Sequence, residues 1–318
     1  MSTTTPSPAE IPTMYFIGVT TLKSSIMDVF PRWADSLELG ECVLKGVDFK
    51  LHDDPARYRE MVQFIKDDPL SLGALVTTHK LDLLHACRDL FDELDPLAAM
   101  LGEVSSISKR DGKLVGHAKD PITSGLAVEA FLPADYWVGN KAEVCLLGAG
   151  GSALALSYYL TLSENAPNRP GKIIVTARKQ RRLDEMRNFH DKLAYGVSID
   201  YRLAPDAAAN DVIVSALRPG SLVVNATGLG KDGPGSPLGN AANFPEQGFV
   251  WEFNYRGDLL FLDQARAQEK SRALTVEDGW IYFIHGWTRV IAEVFAVDIP
   301  TSGPRFDELS RIASSSKS

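Results

Sequence analysis

The chain has 318 residues, enough for about two domains, and 45% are hydrophobic, an ordinary share for a soluble globular protein. A net charge of −8 disfavours nucleic-acid binding, which needs a basic surface. No apolar run reaches the roughly 18 residues that span a membrane, and Met1 to Thr13 carries no basic segment before an apolar core. The cysteines, Cys42, Cys87 and Cys145, have neither disulfide nor zinc spacing and read as buried thiols. These features predict a cytoplasmic protein with no bound metal and no membrane or nucleic-acid partner. Residues 1–13 and 313–318 read as flexible tails.

Met14 to Gly18 is a short apolar strand, and a polar turn follows. Apolar residues at three and four spacing predict a helix over 26–39, with Gly40 as its stop. Residues 42–49 read as a second strand. A helix over 55–65 follows, capped by Asp53 or Asp54. A third strand, 72–78, ends at His79-Lys80, and a long amphipathic helical region is expected from there to about Leu101. Strand, helix, strand, helix, strand predicts a parallel sheet covered by helices. Ligands bind past the carboxyl ends of such strands, where Ser24, Thr78, His79 and Lys80 fall. Val104–Arg110 and Lys113–His117 flank Asp111-Gly112, a strong hairpin signal. The hairpin leads to Asp120-Pro121 and a helix running to about Phe131. Residues 131–140 read as the join between domains.

In the second half, Val144-Cys-Leu-Leu-Gly148 runs into Gly150-Gly151-Ser152-Ala153. Gly148-x-Gly150-x-x-Ala153 is the dinucleotide fingerprint. Gly148 permits the turn, Gly150 lets the backbone approach a pyrophosphate, and Ala153 lets helix and strand pack closely. A glycine-rich structural turn with no nucleotide is the plainer alternative. Residues 164–171 form a loop rich in Pro and Asn, before a second strand over 172–176. That strand ends at Arg178, Lys179, Arg181 and Arg182, with no acid before Asp184. An acid here would receive the ribose hydroxyls of NAD, whereas a basic cluster pairs with the 2′-phosphate of NADP. NADP is therefore expected, with NAD as the less favoured cofactor. Residues 211–216 and 222–225 read as buried strands, the latter entering the glycine loop Ala226-Thr227-Gly-Leu-Gly230. A strand over 249–253, a helix over 259–268, Asp278-Gly279 and an apolar helix over 280–295 bearing His285 complete the chain.

Taken in order, Gly18–Ser25, Gly73-Ala-Leu-Val-Thr-Thr-His-Lys80, Gly102-Glu-Val-Ser-Ser106, Asp111–Asp120, Gly148-Ala149-Gly150-Gly151, Asn225-Ala226-Thr227 and Asp278-Gly279 resemble the shikimate/quinate dehydrogenase family, over about residues 15–295. The resemblance implies an α/β protein of two domains with a deep cleft between them. An N-terminal open α/β substrate domain would span residues 14–125 and 281–312, and a Rossmann NADP-binding domain residues 126–280. It implies that Lys80 and Asp120 are the catalytic pair, with His79 a weaker alternative acid/base. An exposed helix-start lysine and a helix-capping aspartate are the non-catalytic alternatives. It puts Ser24, Ile26, Thr77, Ser105, Tyr255 and Gly286 at the substrate. Gly148, Ala149, Gly150, Gly151, Ser152, Ala153, Arg178, Lys179, Arg182, Asn225, Ala226, Thr227 and Gly279 fall at the cofactor.

The pocket departs from the family. Ile26 replaces a serine, Leu75, Ser105 and Ala118 replace asparagines, and Gly286 replaces a glutamine. The proline usual before the lysine is missing, and that segment is a residue short. The expectation is an NADP-dependent oxidoreductase for a small cyclic or hydroxy-acid-like alcohol or ketone other than shikimate, lined in part by Phe283 and Trp287. The alternatives are a genuine shikimate or quinate dehydrogenase, a silent NADP-binding sensor and, more distantly, a methylene-tetrahydrofolate dehydrogenase. A monomer or homodimer is expected.

Overall fold

A computed structural model of the chain describes residues 7–162, 167–193, 196–231 and 233–316. Parts of the two expected tails, residues 1–6 and 317–318, and residues 164–166 of the expected loop lie outside the described residues. The chain divides into two compact units. One runs to Lys119 and resumes at Ile284, and the other is Asp120–Phe283. Among the described residues, no helix is long and apolar enough to cross a membrane.

The first unit is built on β1 (Thr13–Gly18), β2 (Val43–Asp48) and β3 (Ser71–Val76), joined by helices α1 (Ile26–Ser36) and α2 (Pro55–Asp67). β1 pairs in parallel with both β2 and β3, so the first two crossovers leave β1 at the centre of the three. α1 presents Ile26, Val29, Phe30 and Trp33 to the core and stops at Ser36, short of the expected Leu39. Glu38 and Gly40 both adopt positive φ there, which no helix continues. Asp54 caps α2 by accepting from the Ala56 N–H (2.9 Å). Ala9, inside the expected tail, donates its N–H to Asp68 (2.8 Å).

The long helix expected over residues 79–101 is not formed. α3 (Lys80–Cys87) ends in a single 3-10 turn, and a short strand β4 (Glu93–Leu94) and helix α4 (Pro96–Leu101) follow. Pro96 lacks the N–H an interior helical position needs. Asp95 restarts the helix by accepting from the Ala98 N–H (2.6 Å). The hairpin β5 (Ser106–Arg110) and β6 (Lys113–His117) forms as expected. Its turn residues Asp111 and Gly112 have φ of 50° and 77°, the paired left-handed geometry that Asp-Gly favours. The sheet order is β2-β1-β3-β5-β6-β4. α12 (Pro304–Ser314) packs on α1, where the Trp33 indole donates to the Leu309 carbonyl (2.9 Å).

The second unit opens with α5 (Asp120–Glu129) and holds a six-stranded parallel sheet. Its strands are β7 (Glu143–Leu147), β8 (Lys172–Ala177), β9 (Ser198–Leu203), β10 (Leu222–Asn225), β11 (Phe249–Glu252) and β12 (Thr275–Glu277). Their order is β12-β11-β10-β7-β8-β9, the doubly wound dinucleotide-binding arrangement. Helices α6 (Gly151–Thr161), α7 (Gln180–His190), α8 (Ala207–Ser215), α9 (Leu260–Arg266) and α10 (Glu269–Arg272) connect the strands. α11 (Trp280–Phe295) covers the span predicted for it. Gly125 of α5 lies under Tyr159 of α6, where a Cβ would stand 2.3 Å from the ring, so the two helices touch closely.

Of residues 211–216, read as a strand, 211–215 belong instead to α8 and Ala216 follows as its C-cap. Asp206 accepts from the Ala209 N–H (2.9 Å), and three alanines carry the first turn. A short apolar run does not distinguish strand from helix. β9 and β12, unassigned in the sequence reading, supply the sheet's two edges.

His190 is buried at the end of α7, between Ser157 Oγ (3.0 Å) and Tyr201 Oη (2.6 Å). Burial holds its imidazole down to about 4. A histidine whose folded pKa lies below 6.5 stabilises the fold fully above 6.5 and loses that contribution as pH falls toward 4. Between pH 7 and pH 5 the loss from His190 is about 2 kcal/mol. His285, also lowered to about 4, adds a loss of the same sign. Urea unfolding at the two pH values should show this acid loss shrink in His190→Gln. An unchanged loss would rule the assignment out.

Candidate functional site

In the first unit the candidate residues gather at the carboxyl edge of β1 and β3. The Thr77 N–H donates to the Ile17 carbonyl (2.9 Å), which ties the two strand ends together. Thr78 has φ of 59°, a left-handed conformation that turns the chain sharply into α3. Lys80 is therefore the first residue of that helix and is half-buried. His79 is buried, and its Nδ1 meets Tyr58 Oη at 2.9 Å. Burial lowers its pKa, which leaves the ring neutral and embedded. Ser105 sits on the same edge, because the Val76 N–H donates to its carbonyl (2.9 Å). Its Oγ accepts from the Lys119 N–H (2.7 Å), which fixes the chain leaving the hairpin. Ser24 is buried at the end of the 3-10 turn after β1.

Two positions depart from a polar recognition surface. Ile26 is wholly buried. Gly286, on α11, has no atom within 4 Å of the point where a Cβ would stand. Trp287 packs edge-on against Phe16 (4.9 Å) beside it.

The hairpin exit carries an ion cluster absent from the sequence reading. Glu293 of α11 pairs with Lys119 Nζ (2.6 Å) and Arg110 (2.8 Å), and His117 lies at 3.5 Å. These contacts pull the Glu293 carboxyl down against its burial.

In the second unit the candidate residues form a glycine turn into an uncapped helix start. Gly148 has φ of 113°, and a Cβ there would stand 2.9 Å from the Ala226 carbonyl oxygen. Only glycine combines that backbone with that approach. Gly150 precedes α6 in an extended conformation, and no side chain caps the helix. A Cβ on Gly150 would meet nothing within 4 Å, which leaves its face open. The first N–H groups of α6, at Gly151, Ser152 and Ala153, thus carry the positive end of the helix dipole toward open space. Ala149 sits in the turn itself, and Ala153 is wholly buried against the strand.

Arg178 and Lys179 are exposed at the end of β8 and make no ion pair among the described residues. Arg182 and Arg181 both reach Glu185 (2.9 and 3.5 Å). The first turn of α7 holds no acid. An anion-binding cradle followed by free cations fits a dinucleotide bearing a 2′-phosphate.

Asn225, Ala226 and Thr227 form the adjoining loop. Ala226 donates its N–H to the Leu147 carbonyl (2.9 Å), which sets the loop beside the Gly148 turn. Beneath it lies Glu252, wholly buried at the end of β11. Burial pushes its carboxyl up to about 7, against three N–H donors on Asn254 and Asn225 that hold it down. Sequence reasoning passed over Glu252. An acid inside Phe249-Val-Trp-Glu is nevertheless a signal, since a charge in a buried strand must be hydrogen-bonded.

Gly279 has no room for a side chain, because a Cβ would lie 2.2 Å from the Phe253 carbonyl oxygen. Tyr255 packs against Phe283 (4.6 Å) and Trp280 (5.6 Å). Asp120 is the half-buried first residue of α5.

No family model matches the chain. A shikimate dehydrogenase (NADP(+)) of Lactococcus lactis subsp. cremoris (strain MG1363) is 31% identical over 178 residues. That segment is 56% of this chain and spans 59% of the relative's length. Among solved structures, the shikimate 5-dehydrogenase of Thermus thermophilus, in complex with NADP(H) and shikimate, matches with a TM-score of 0.67 and 22% identity, over 95% of this chain and 100% of that one. The 5-ketofructose reductase of Gluconobacter sp. strain CHM43 matches with a TM-score of 0.68 and 14% identity, over 96% of this chain and 99% of that one. Over somewhat more than half its length the chain is similar in sequence to a shikimate dehydrogenase, and over nearly all of it the fold is similar to that of the Thermus thermophilus enzyme.

Proposed function

We propose that the protein is an NADP-dependent oxidoreductase of the shikimate dehydrogenase-like type. It moves a hydride reversibly between NADP(H) and a secondary alcohol or ketone of a small cyclic or hydroxy-acid-like substrate other than shikimate. The observation that carries the reading is the Gly148 turn into an uncapped helix, with Arg178 and Lys179 exposed at the next strand's end. The bound nicotinamide supplies the hydride acceptor or donor.

The chain's own residues supply the proton. Lys80 Nζ takes the hydroxyl proton in oxidation and returns one to the carbonyl oxygen in reduction. An amine serves only if its pKa falls toward the working pH, which burial favours. The family resemblance gives Asp120 the role of the partner carboxylate.

The polar side chains that would hold a polyhydroxylated acid are thinned in this chain. Ser24, Thr77 and Tyr255 remain, while Ile26 is apolar and Gly286 offers only space. Each substrate oxygen left unpaired in a closed site costs roughly 1–3 kcal/mol. Several together lower kcat/KM by orders of magnitude. The 5-ketofructose reductase has the same fold and a name that specifies a different ketone.

The test is the initial rate of NADP reduction with shikimate and quinate, set against NADPH oxidation with less hydroxylated ring ketones. The expected result is a kcat/KM for shikimate at least about 100-fold below that of the best ketone. Brisk shikimate or quinate turnover would instead identify a dehydrogenase with a rebuilt pocket. NADPH binding with no turnover across the panel would identify a sensor.

A further inference from the structure

The buried network under the cofactor loop has a fixed direction. The Thr227 backbone N–H can only donate, so the oxygen of the Asn225 amide faces it (3.0 Å), and the Thr227 hydroxyl donates to the same oxygen (2.6 Å). The Asn225 NH2 must then point the other way, and it donates to Glu252 Oε2 (2.6 Å). Glu252 Oε1 accepts from the backbone N–H of Asn254 (2.8 Å) and from its side-chain NH2 (2.7 Å). That same NH2 also reaches the carbonyls of Thr227 (3.1 Å) and Leu229 (3.3 Å). Each of these partners is a donor toward Glu252. Two routes therefore lead from one carboxylate to the loop, one through Asn225 and one through Asn254. Asn225 and Glu252 are both wholly buried, so no water competes for these bonds.

We infer that Glu252 is a positioning residue that sets the 226–230 loop against the Gly148 turn and thereby sets cofactor affinity. The inference rests on the reading that this loop faces NADP. Glu252 touches no reacting atom in this scheme. It acts by forcing the Asn225 amide into one orientation, which in turn places the Thr227 N–H and hydroxyl.

The donor logic supplies its own test in the full-length protein. In Glu252→Gln, an NH2 replaces one acceptor. It faces either the Asn254 donors or the Asn225 NH2, donor against donor in both cases, and relieving the latter by flipping the Asn225 amide turns donors on Thr227. In the reciprocal double variant, Asn225→Asp with Glu252→Gln, the acceptor and donor exchange places. The NH2 introduced at position 252 then donates to the carboxylate introduced at position 225. That carboxylate still accepts from Thr227, and the net charge is unchanged.

Two readouts are compared. One is amide hydrogen exchange across residues 226–230 in the cofactor-free protein. The other is NADPH affinity, read from the enhancement of nicotinamide fluorescence. Glu252→Gln is expected to exchange faster at Thr227 and to bind NADPH about tenfold more weakly. The double variant should recover protection at Thr227 and bind NADPH more tightly than Glu252→Gln. Unchanged exchange in Glu252→Gln, or a double variant no better than the single, overturns the inference alone. A parent protein that binds no NADPH overturns the functional reading and with it the claim on affinity. If Glu252→Gln does not fold, the double variant decides. A folded double variant with a protected Thr227 amide supports the inference, and an unfolded one overturns it.

Discussion

Lys80→Ala lowers turnover by about 10²–10⁴-fold and leaves NADPH affinity within about twofold. Under the proposed function the proton on Lys80 Nζ is needed only where the alcohol oxygen gains or loses one, so removal would act on the chemical step rather than on the cofactor. Lys80 starts α3 directly after the left-handed Thr78, and the neighbouring β-strand pairing holds that turn. Truncating the side chain therefore leaves the backbone undisturbed. Single-turnover hydride transfer separates the two effects, because it isolates chemistry from product release. A rate within about threefold of the parent would remove Lys80 from the mechanism. His79 is the control. It is buried and bonded to Tyr58, so His79→Gln should perturb stability more than the rate constant.

The second large effect is on cofactor choice. Replacing Arg178 and Lys179 together with alanine weakens NADPH about 10–100-fold and leaves NADH nearly unchanged. In the proposed function the two cations act on the 2′-phosphate alone, and at exposed positions each charge pair contributes about 1 kcal/mol, together about 30-fold. Both side chains are exposed and make no ion pair among the described residues, so their loss leaves no buried charge behind. Arg182 already pairs with Glu185, and Arg182→Ala should matter less. Titration of NADPH and NADH against the double variant reads the ratio directly. Equal weakening of both dinucleotides would place the cations at the pyrophosphate instead, and unchanged affinity for both would remove them from the site.

Much of the fold follows from local sequence because the local signals agree with one another. Gly148-x-Gly150-x-x-Ala153 marks a turn that only glycine can make and a helix start that no side chain caps. Asp111-Gly112 sets its hairpin through two left-handed residues. α11 is legible because an apolar run of that length exceeds any strand. The roles of Lys80 and Asp120 are of another kind. Lysine at a helix start and aspartate before Pro121 are ordinary residues in ordinary places, and only the ordered family resemblance singles them out.

By itself, then, the sequence determined the alternation of strands and helices, the phosphate turn and the basic end of β8. Each depends on a few adjacent residues and on backbone sterics. Tertiary structure decided the rest. Asp211–Ser215 is helical because α8 is capped by Asp206 and the sheet positions are taken by other strands. The run after Lys80 breaks because Pro96 cannot continue a helix and the Asp95 cap starts a new one. Glu252 lies 27 residues beyond Asn225, and the two meet only because β10 and β11 are paired in parallel register. A buried carboxylate gains its meaning from the donors around it. Those donors come from a neighbouring strand and a loop that no local pattern joins.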